Sequence, residues 1–153
     1  MEGDVEMTTC PACGETKTRR GDAHHRLFFA VIAKAWDSWP ESAKFQPETP
    51  EHLRSYLLIK AGHFDKLDIR CDNPDAISLE DQLRVIIKTV SDKPPLMHSY
   101  QWGVRVFWPK SISYAACDRR TFNEVSTKVF EILETMLGVP IETLKKEAER
   151  EAA

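Results

Sequence analysis

The 153-residue sequence lacks the long apolar run, about 20 residues, that a membrane-spanning helix requires. Its first residues, MEGDVEM, are acidic and carry no apolar segment of the kind that opens a secretion signal. The sequence therefore predicts a cytoplasmic protein without a membrane partner. In that compartment its four cysteines are expected to stay reduced, which favours metal binding or burial over disulfides.

The motifs that accompany common catalytic chemistries are also absent. The sequence has no glycine-rich phosphate loop, no Gly-x-Ser-x-Gly elbow and no His-Glu-x-x-His pair. Asp65, Asp68 and Asp72 lie close enough in sequence to suggest a metal-dependent nuclease, but strand alternation distributes them over both faces of a strand. We therefore expect no catalytic centre and keep the nuclease as the least favoured alternative.

An excess of positive charge is missing as well. Asp and Glu number 24 against 21 Lys and Arg, so the formal net charge is -3. Proteins that bind nucleic acid through their overall charge are basic, and any such surface here has to be a local patch.

The sequence contains several stretches with helical spacing. Phe28, Val31, Ile32 and Ala35 form one apolar stripe, which predicts a helix from Asp22 that ends at Trp39 before Pro40. The other predicted helices run from the Thr49 cap to Gly62, from the Ser78 cap to Val90, from the Asp118 cap to Gly138, and through the polar C-terminal segment PIETLKKEAEREAA.

Two segments alternate as strands do. FDKLDIRCD predicts a short half-buried strand, and LMHSYQWGVRVFW predicts one long strand. In the long strand Tyr100, Trp102 and Val104 are expected on one face, with Arg105 and Phe107 on the other; Gly103 marks either a bulge or a tight hairpin. KSISY is expected to resume as a further strand. The sequence thus predicts a single α+β domain with four to five helices packed on a small antiparallel sheet.

Within that domain we distinguish three regions. Residues 1–21 form an N-terminal Cys-x-x-Cys segment, residues 22–138 the globular α+β domain, and residues 139–153 a polar C-terminal helix.

The N-terminal segment contains half of a zinc-site motif. Cys10-Pro-Ala-Cys13-Gly14 resembles the tight turn that supplies two thiolates to a tetrahedral zinc ion. His24 and His25 follow at a distance compatible with a shared ion, and we select Cys10, Cys13, His24 and His25 as candidate zinc ligands. Other ways to complete the site use Cys71, Cys117 or a second subunit, and a reduced N-terminal tail without metal is the alternative.

Basic residues concentrate in two places, before the first helix and around the long strand. Such clusters contact phosphates, and an exposed aromatic ring beside a guanidinium is a surface on which unpaired bases stack. Phe107 beside Arg105 is the candidate stacking platform. The candidate nucleic-acid-binding residues are Lys17, Arg19, Arg20, Arg26, Arg105, Phe107 and Lys110.

Three segments, read together, resemble the NinB (Orf) recombination proteins of lambdoid phages. They are GDAHHRLFFAVIAKAW, PEHLRSYLLIKAGHF and PKSISYAACDRRTFNEVSTKVFEILETMLGV, about two-thirds of the chain. The residues that carry the resemblance are His25, Arg26, Phe28, Phe29, Ala30, Ser111, Ser113, Phe122 and Glu131. Two features depart from the family, since this chain begins with Cys-x-x-Cys instead of a strand and has His24 where Gln is more common.

The resemblance implies a homodimeric phage or prophage protein in the cytoplasm of a bacterial host cell. It implies a non-catalytic accessory role in DNA recombination or replication, with preference for single-stranded DNA and action alongside the host single-strand-binding protein. The alternative is a protein-interaction module that redirects or inhibits a host protein, because Trp36, Trp39, Trp102 and Trp108 provide aromatic surface.

Overall fold

The fold is α+β, as predicted. The structure is a computed structural model that describes residues 7–9, 16–18, 22–71, 76–90, 95–113 and 115–152. Within these ranges it contains five helices, a three-stranded antiparallel sheet and a two-stranded hairpin. No helix in the described part of the chain is both long and apolar enough to cross a membrane.

Helices and strands are interspersed along the chain. In chain order they are β1 Met7–Thr9, β2 Thr16–Thr18, α1 Asp22–Asp37, α2 Pro50–Lys60, β3 Phe64–Arg70, α3 Ala76–Val90, β4 Leu96–Tyr100, β5 Gly103–Pro109, α4 Arg119–Leu137 and α5 Ile141–Ala152. Four of the helices follow the predicted ones closely, although α1 ends two residues before Trp39. The predicted Ser78 cap is wrong, because α3 begins at Ala76 and Ser78 lies inside its first turn.

The chain divides into two compact units. The first comprises Met1–Pro40 and Ser111–Ala153, and the second is the continuous segment Glu41–Lys110. The regions expected from the sequence, with limits after residues 21 and 138, stay a prediction.

The first unit is built on α1, α4 and α5. The apolar stripe of α1 is buried as its spacing predicts, and the Phe28 ring packs against Phe122 of α4 with ring centroids 5.3 Å apart. Asp118 caps α4 by accepting a hydrogen bond from the Thr121 N–H at 2.7 Å. The polar helix α5 packs on α1 and buries the two apolar residues of its inner face, Leu144 and Ala148.

The second unit is built on the three-stranded sheet, with strand order β3-β5-β4 and all pairs antiparallel. Helix α3 covers one face, where Ile87 packs with Val104 and Val106 of the central strand. The predicted cap of α2 is present, because Thr49 Oγ1 accepts a hydrogen bond from the His52 N–H at 3.1 Å and Pro50 occupies the first turn.

The face predicted for Tyr100 and the strand predicted at KSISY are wrong. The segment LMHSYQWGVRVFW is a hairpin, one of the two alternatives left open at Gly103, in which Gln101 and Trp102 form the turn and Tyr100 pairs with Gly103. The turn reverses the chain, so Tyr100 lies on the face of Arg105 and not on the face of Val104. The segment KSISY does not resume as a strand, since residues 110–113 pair with no strand in the described part of the chain.

Candidate nucleic-acid interface

The hairpin of β4 and β5 decides which side chains share the open face of the sheet. Gly103 follows the turn with a φ of +144°, a conformation that is essentially restricted to glycine. A Cβ atom at this position would lie 2.1 Å from the Ile69 carbonyl oxygen. A glycine therefore allows the turn to lie directly against β3, and the register that follows places His98, Arg105 and Asp68 side by side across the three strands.

An aromatic pair with a guanidinium lies at the turn end of this face. The rings of Tyr100 and Trp102 stack with centroids 5.1 Å apart and an interplanar angle of 7°. The Arg105 guanidinium carbon lies 5.6 Å from the Tyr100 centroid and 5.5 Å from the Trp102 centroid, within the range of cation–π attraction. The His98 ring contacts Tyr100 edge-on at 4.5 Å.

Arg105 is also held by a carboxylate. Its Nε and Nη2 donate hydrogen bonds of 2.6 and 2.9 Å to the two oxygens of Asp68 on β3. This bidentate pairing lowers the pKa of Asp68 and raises the pKa of Arg105. The guanidinium is therefore fixed in position beside the rings, and part of its charge is neutralised.

Further cations extend along β3. Alternation places Lys66 and Arg70 on the same face as Asp68, and all three side chains are exposed. We call this surface the aromatic–cationic face. Its members are Lys66, Asp68, Arg70, His98, Tyr100, Trp102, Arg105 and Phe107. Three cations against one carboxylate give it a net charge of +2 with His98 neutral, whereas the whole chain carries -3.

The structure groups only some of the nucleic-acid-binding residues selected from the sequence. Arg105 and Phe107 share the aromatic–cationic face, where the half-buried Phe107 ring meets Phe64 edge-on at 5.1 Å. Lys110 follows β5, with its Nζ 3.9 Å from an oxygen of Asp65. Asp65 and Asp68 point to opposite faces of β3, as the alternation predicted. These two carboxylates therefore do not form the shared metal site that the nuclease alternative requires.

The remaining selected cations belong to the first unit or lie outside the described residues. Lys17 of β2 lies opposite Thr8 of β1 in the backbone register of the two-stranded hairpin. Arg26 is exposed on α1 and lines an open groove of about 380 Å³ with Ala30 of α1 and Ala148 of α5. Arg19 and Arg20 lie outside the described part of the chain.

The candidate zinc ligands are only partly described. Cys10 and Cys13 lie outside the described residues. The imidazoles of His24 and His25 each contact the Phe122 ring, with centroids 5.3 Å apart in both cases. Among the residues that the structure describes, no three His, Cys, Asp or Glu side chains form a metal-binding group. Zinc binding stays a prediction.

Sequence reasoning missed Lys66, Arg70, Tyr100 and Trp102 as members of the face. The first two were assigned to a strand without a function, and the aromatic pair was expected on the face opposite Arg105. A sequence signal was present, because Gly103 allowed a tight hairpin, and a hairpin moves Tyr100 to the open face.

The chain was compared with protein-family models, with curated proteins and with solved structures, and no match was found in any of the three. The functional interpretation therefore depends on the geometry of the site, and the resemblance to the NinB (Orf) proteins stays a prediction.

Proposed function

We propose that this protein binds single-stranded DNA through the aromatic–cationic face. The observation that supports the proposal is the stacked pair of Tyr100 and Trp102, with Arg105 beside both rings, on an open sheet face that carries a net positive charge. Unpaired bases stack on such rings, and each base contributes about 1–3 kcal/mol.

The arrangement favours single strands over duplex. In a duplex the flat faces of the bases are covered by their neighbours, so an aromatic side chain on a sheet has nothing to stack on. A single strand exposes those faces, and the antiparallel sheet gives it a flat support. Tyr100 is 36% exposed and is therefore accessible to a base at the turn end of the face.

The cations on the face have different tasks. Because Asp68 holds Arg105 through two hydrogen bonds, the Arg105 guanidinium serves mainly as a flat surface next to the rings. Lys66 and Arg70 are exposed, and their charges are available for phosphates. With its bases at the rings and its phosphates along β3, the DNA strand would run across the sheet.

Fluorescence anisotropy with a labelled oligothymidine tests the proposal. Tyr100→Ala should weaken binding by roughly 5-fold to 100-fold, which corresponds to the loss of one base stack. Tyr100→Phe keeps the ring and serves as the matched control, with affinity close to that of the original chain. Circular dichroism verifies that both variants are folded. Undetectable binding at low ionic strength, or equal affinities for Tyr100→Ala and Tyr100→Phe, would refute the proposal.

The wider role that we propose follows from the NinB (Orf) resemblance. It is a non-catalytic accessory role in phage recombination or replication, alongside the host single-strand-binding protein. Annealing of complementary strands coated with that protein is the corresponding assay. The chain should accelerate annealing, and Tyr100→Ala should remove the acceleration. If the original chain and Tyr100→Ala accelerate annealing equally, the recombination role does not depend on the aromatic–cationic face.

A protein-interaction module is the second candidate. It is favoured by apolar side chains on α3 that face solvent, because Val85 is 68% and Ile86 56% exposed. A pull-down from nuclease-treated host lysate should then recover one host protein in a fixed ratio, and Ile86→Asp should release it. Recovery that disappears with the nuclease would instead support DNA binding.

A further inference from the structure

The outer side of β3 is an open strand edge. In the sheet order β3-β5-β4, β3 pairs with β5 on one side and with no strand of the described residues on the other. The edge is seven residues long, and Lys66, Leu67 and Asp68 at its centre are exposed. Exposed edges of this length are templates for pairing with another chain.

The hydrogen-bond pattern identifies the backbone groups on that edge. The Cys71 N–H donates to the Trp102 carbonyl at 2.9 Å, and the register continues through the pairs Ile69–Val104 and Leu67–Val106. Residues of an antiparallel strand alternate between bonding to one side and to the other. The N–H and C=O groups that point outward therefore belong to Phe64, Lys66, Asp68 and Arg70.

We propose that β3 pairs antiparallel with β3 of a second copy of this chain, with Leu67 on the two-fold axis. In this register Lys66 of each copy faces Asp68 of the other, and Phe64 faces Arg70. The outward backbone groups meet outward groups at all of these pairs, so the ladder is complete over the strand. The two Lys–Asp pairs and the two Phe–Arg pairs are mutually attractive.

The neighbouring registers are disfavoured by charge. A different register keeps outward groups opposite outward groups only if one strand slides along the other by two residues at a time. One such shift places Lys66 opposite Lys66, and the shift in the other direction places Asp68 opposite Asp68 and Lys66 opposite Arg70. Like charges directly opposite each other destabilise a strand pair. The order of charges around Leu67 thus selects one symmetric register.

The pairing also accounts for an exposed leucine. Leu67 points to the α3 side of the sheet, yet it is 49% exposed because it lies on the outermost strand. In the two-fold pair it meets Leu67 of the second copy and loses contact with water. The resulting six-stranded sheet would join the two aromatic–cationic faces, but the pairing itself does not require that the protein binds DNA.

Charge reversal tests the register. Sedimentation equilibrium of the original chain should give twice the 17.5 kDa of one chain. Lys66→Asp creates two Asp–Asp contacts and should raise the dimer dissociation constant roughly tenfold or more. Lys44→Asp, which makes the same charge change at an exposed lysine outside the strand, is the matched control and should stay dimeric. Monomers at every concentration, or equal effects of the two variants, would overturn the proposal.

A mixing experiment sharpens this test. Asp68→Lys should also be monomeric, but an equimolar mixture with Lys66→Asp should form a heterodimer, because each Asp then faces a Lys. A mixture of two folded variants that stays monomeric would contradict the register.

A cysteine at the axis provides an independent measurement. In a chain with Cys10, Cys13 and Cys71 changed to Ser, Leu67→Cys should form an interchain disulfide on mild oxidation. The two Leu67 positions form a non-hydrogen-bonded pair with Cα atoms about 4.5 Å apart, a separation that a disulfide spans. Lys44→Cys in the same background is the control. Crosslinking at residue 44 but not at residue 67 would overturn the proposal even if the protein is dimeric.

Discussion

Replacing Gly103 by alanine tests the close approach that the aromatic–cationic face depends on. The new Cβ would lie 2.1 Å from the Ile69 carbonyl oxygen and 3.0 Å from both Arg70 Cα and Cys71 N. The end of β3 must therefore move by about 1 Å to reach an ordinary contact distance, which strains the Cys71–Trp102 hydrogen bond. The φ of +144° adds backbone strain of about 1–3 kcal/mol.

Together these effects should lower the free energy of unfolding by about 2–4 kcal/mol. Gly62→Ala is the matched control, because Gly62 has a φ of +86° but no atom within 4 Å of the added Cβ. Its cost should be limited to about 1–2 kcal/mol of backbone strain. Urea denaturation measures both values. If Gly103→Ala costs no more than Gly62→Ala, the hairpin does not lie against β3 as described.

Three further predictions concern other parts of the chain. Burial lowers the pKa of His52, whose Nδ1 accepts a hydrogen bond from the Glu48 N–H at 3.2 Å. The unfolded chain takes up this proton near pH 6.5, so the free energy of unfolding should fall as the pH drops below that value. His52→Gln should lack this loss in urea titrations above and below pH 6.5, and an unchanged pH dependence would contradict the assignment. Purified protein should contain at least about half an equivalent of zinc per dimer by elemental analysis, and Cys10→Ser with Cys13→Ser should contain none; less zinc in the original chain would refute the predicted site. Phe28→Ala should cost about 3–5 kcal/mol in urea denaturation because the ring is fully buried, and a cost below about 1 kcal/mol would be incompatible with that burial.

The helices could be predicted because their signals are local. The stripe of α1, the Thr49 cap with Pro50, and the Asp118 cap each involve residues within one or two turns, and the structure confirms them. The sheet is different. Whether Gly103 bends the chain depends on the strand against which it packs, and Ile69 is 34 positions away in sequence. Alternation alone therefore predicted one strand where a hairpin lies.

The site was only partly predictable for the same reason. Arg105 and Phe107 were selected because they are neighbours on one strand. Asp68, which neutralises part of the Arg105 charge, was recognised only as a carboxylate, since its partner is 37 residues away. The aromatic pair depends on the turn, and Lys66 and Arg70 join the face only through the pairing of β3 with β5.

The charge distribution predicts how binding should respond to salt. The face carries +2 in a chain of -3, so the other residues together carry -5, and long-range attraction of DNA is weak. If Lys66 and Arg70 make the phosphate contacts while Asp68 retains Arg105, the slope of log K against log salt should be about -1.4, and release of Arg105 would make it about -2. A slope steeper than about -3 would require the basic residues Lys17 to Arg20 before α1 to contribute as well. Repeating the titration with those residues changed to alanine then separates the two basic regions. An unchanged slope assigns binding to the sheet. A slope that becomes less negative by about 2 assigns most of the binding to the N-terminal segment.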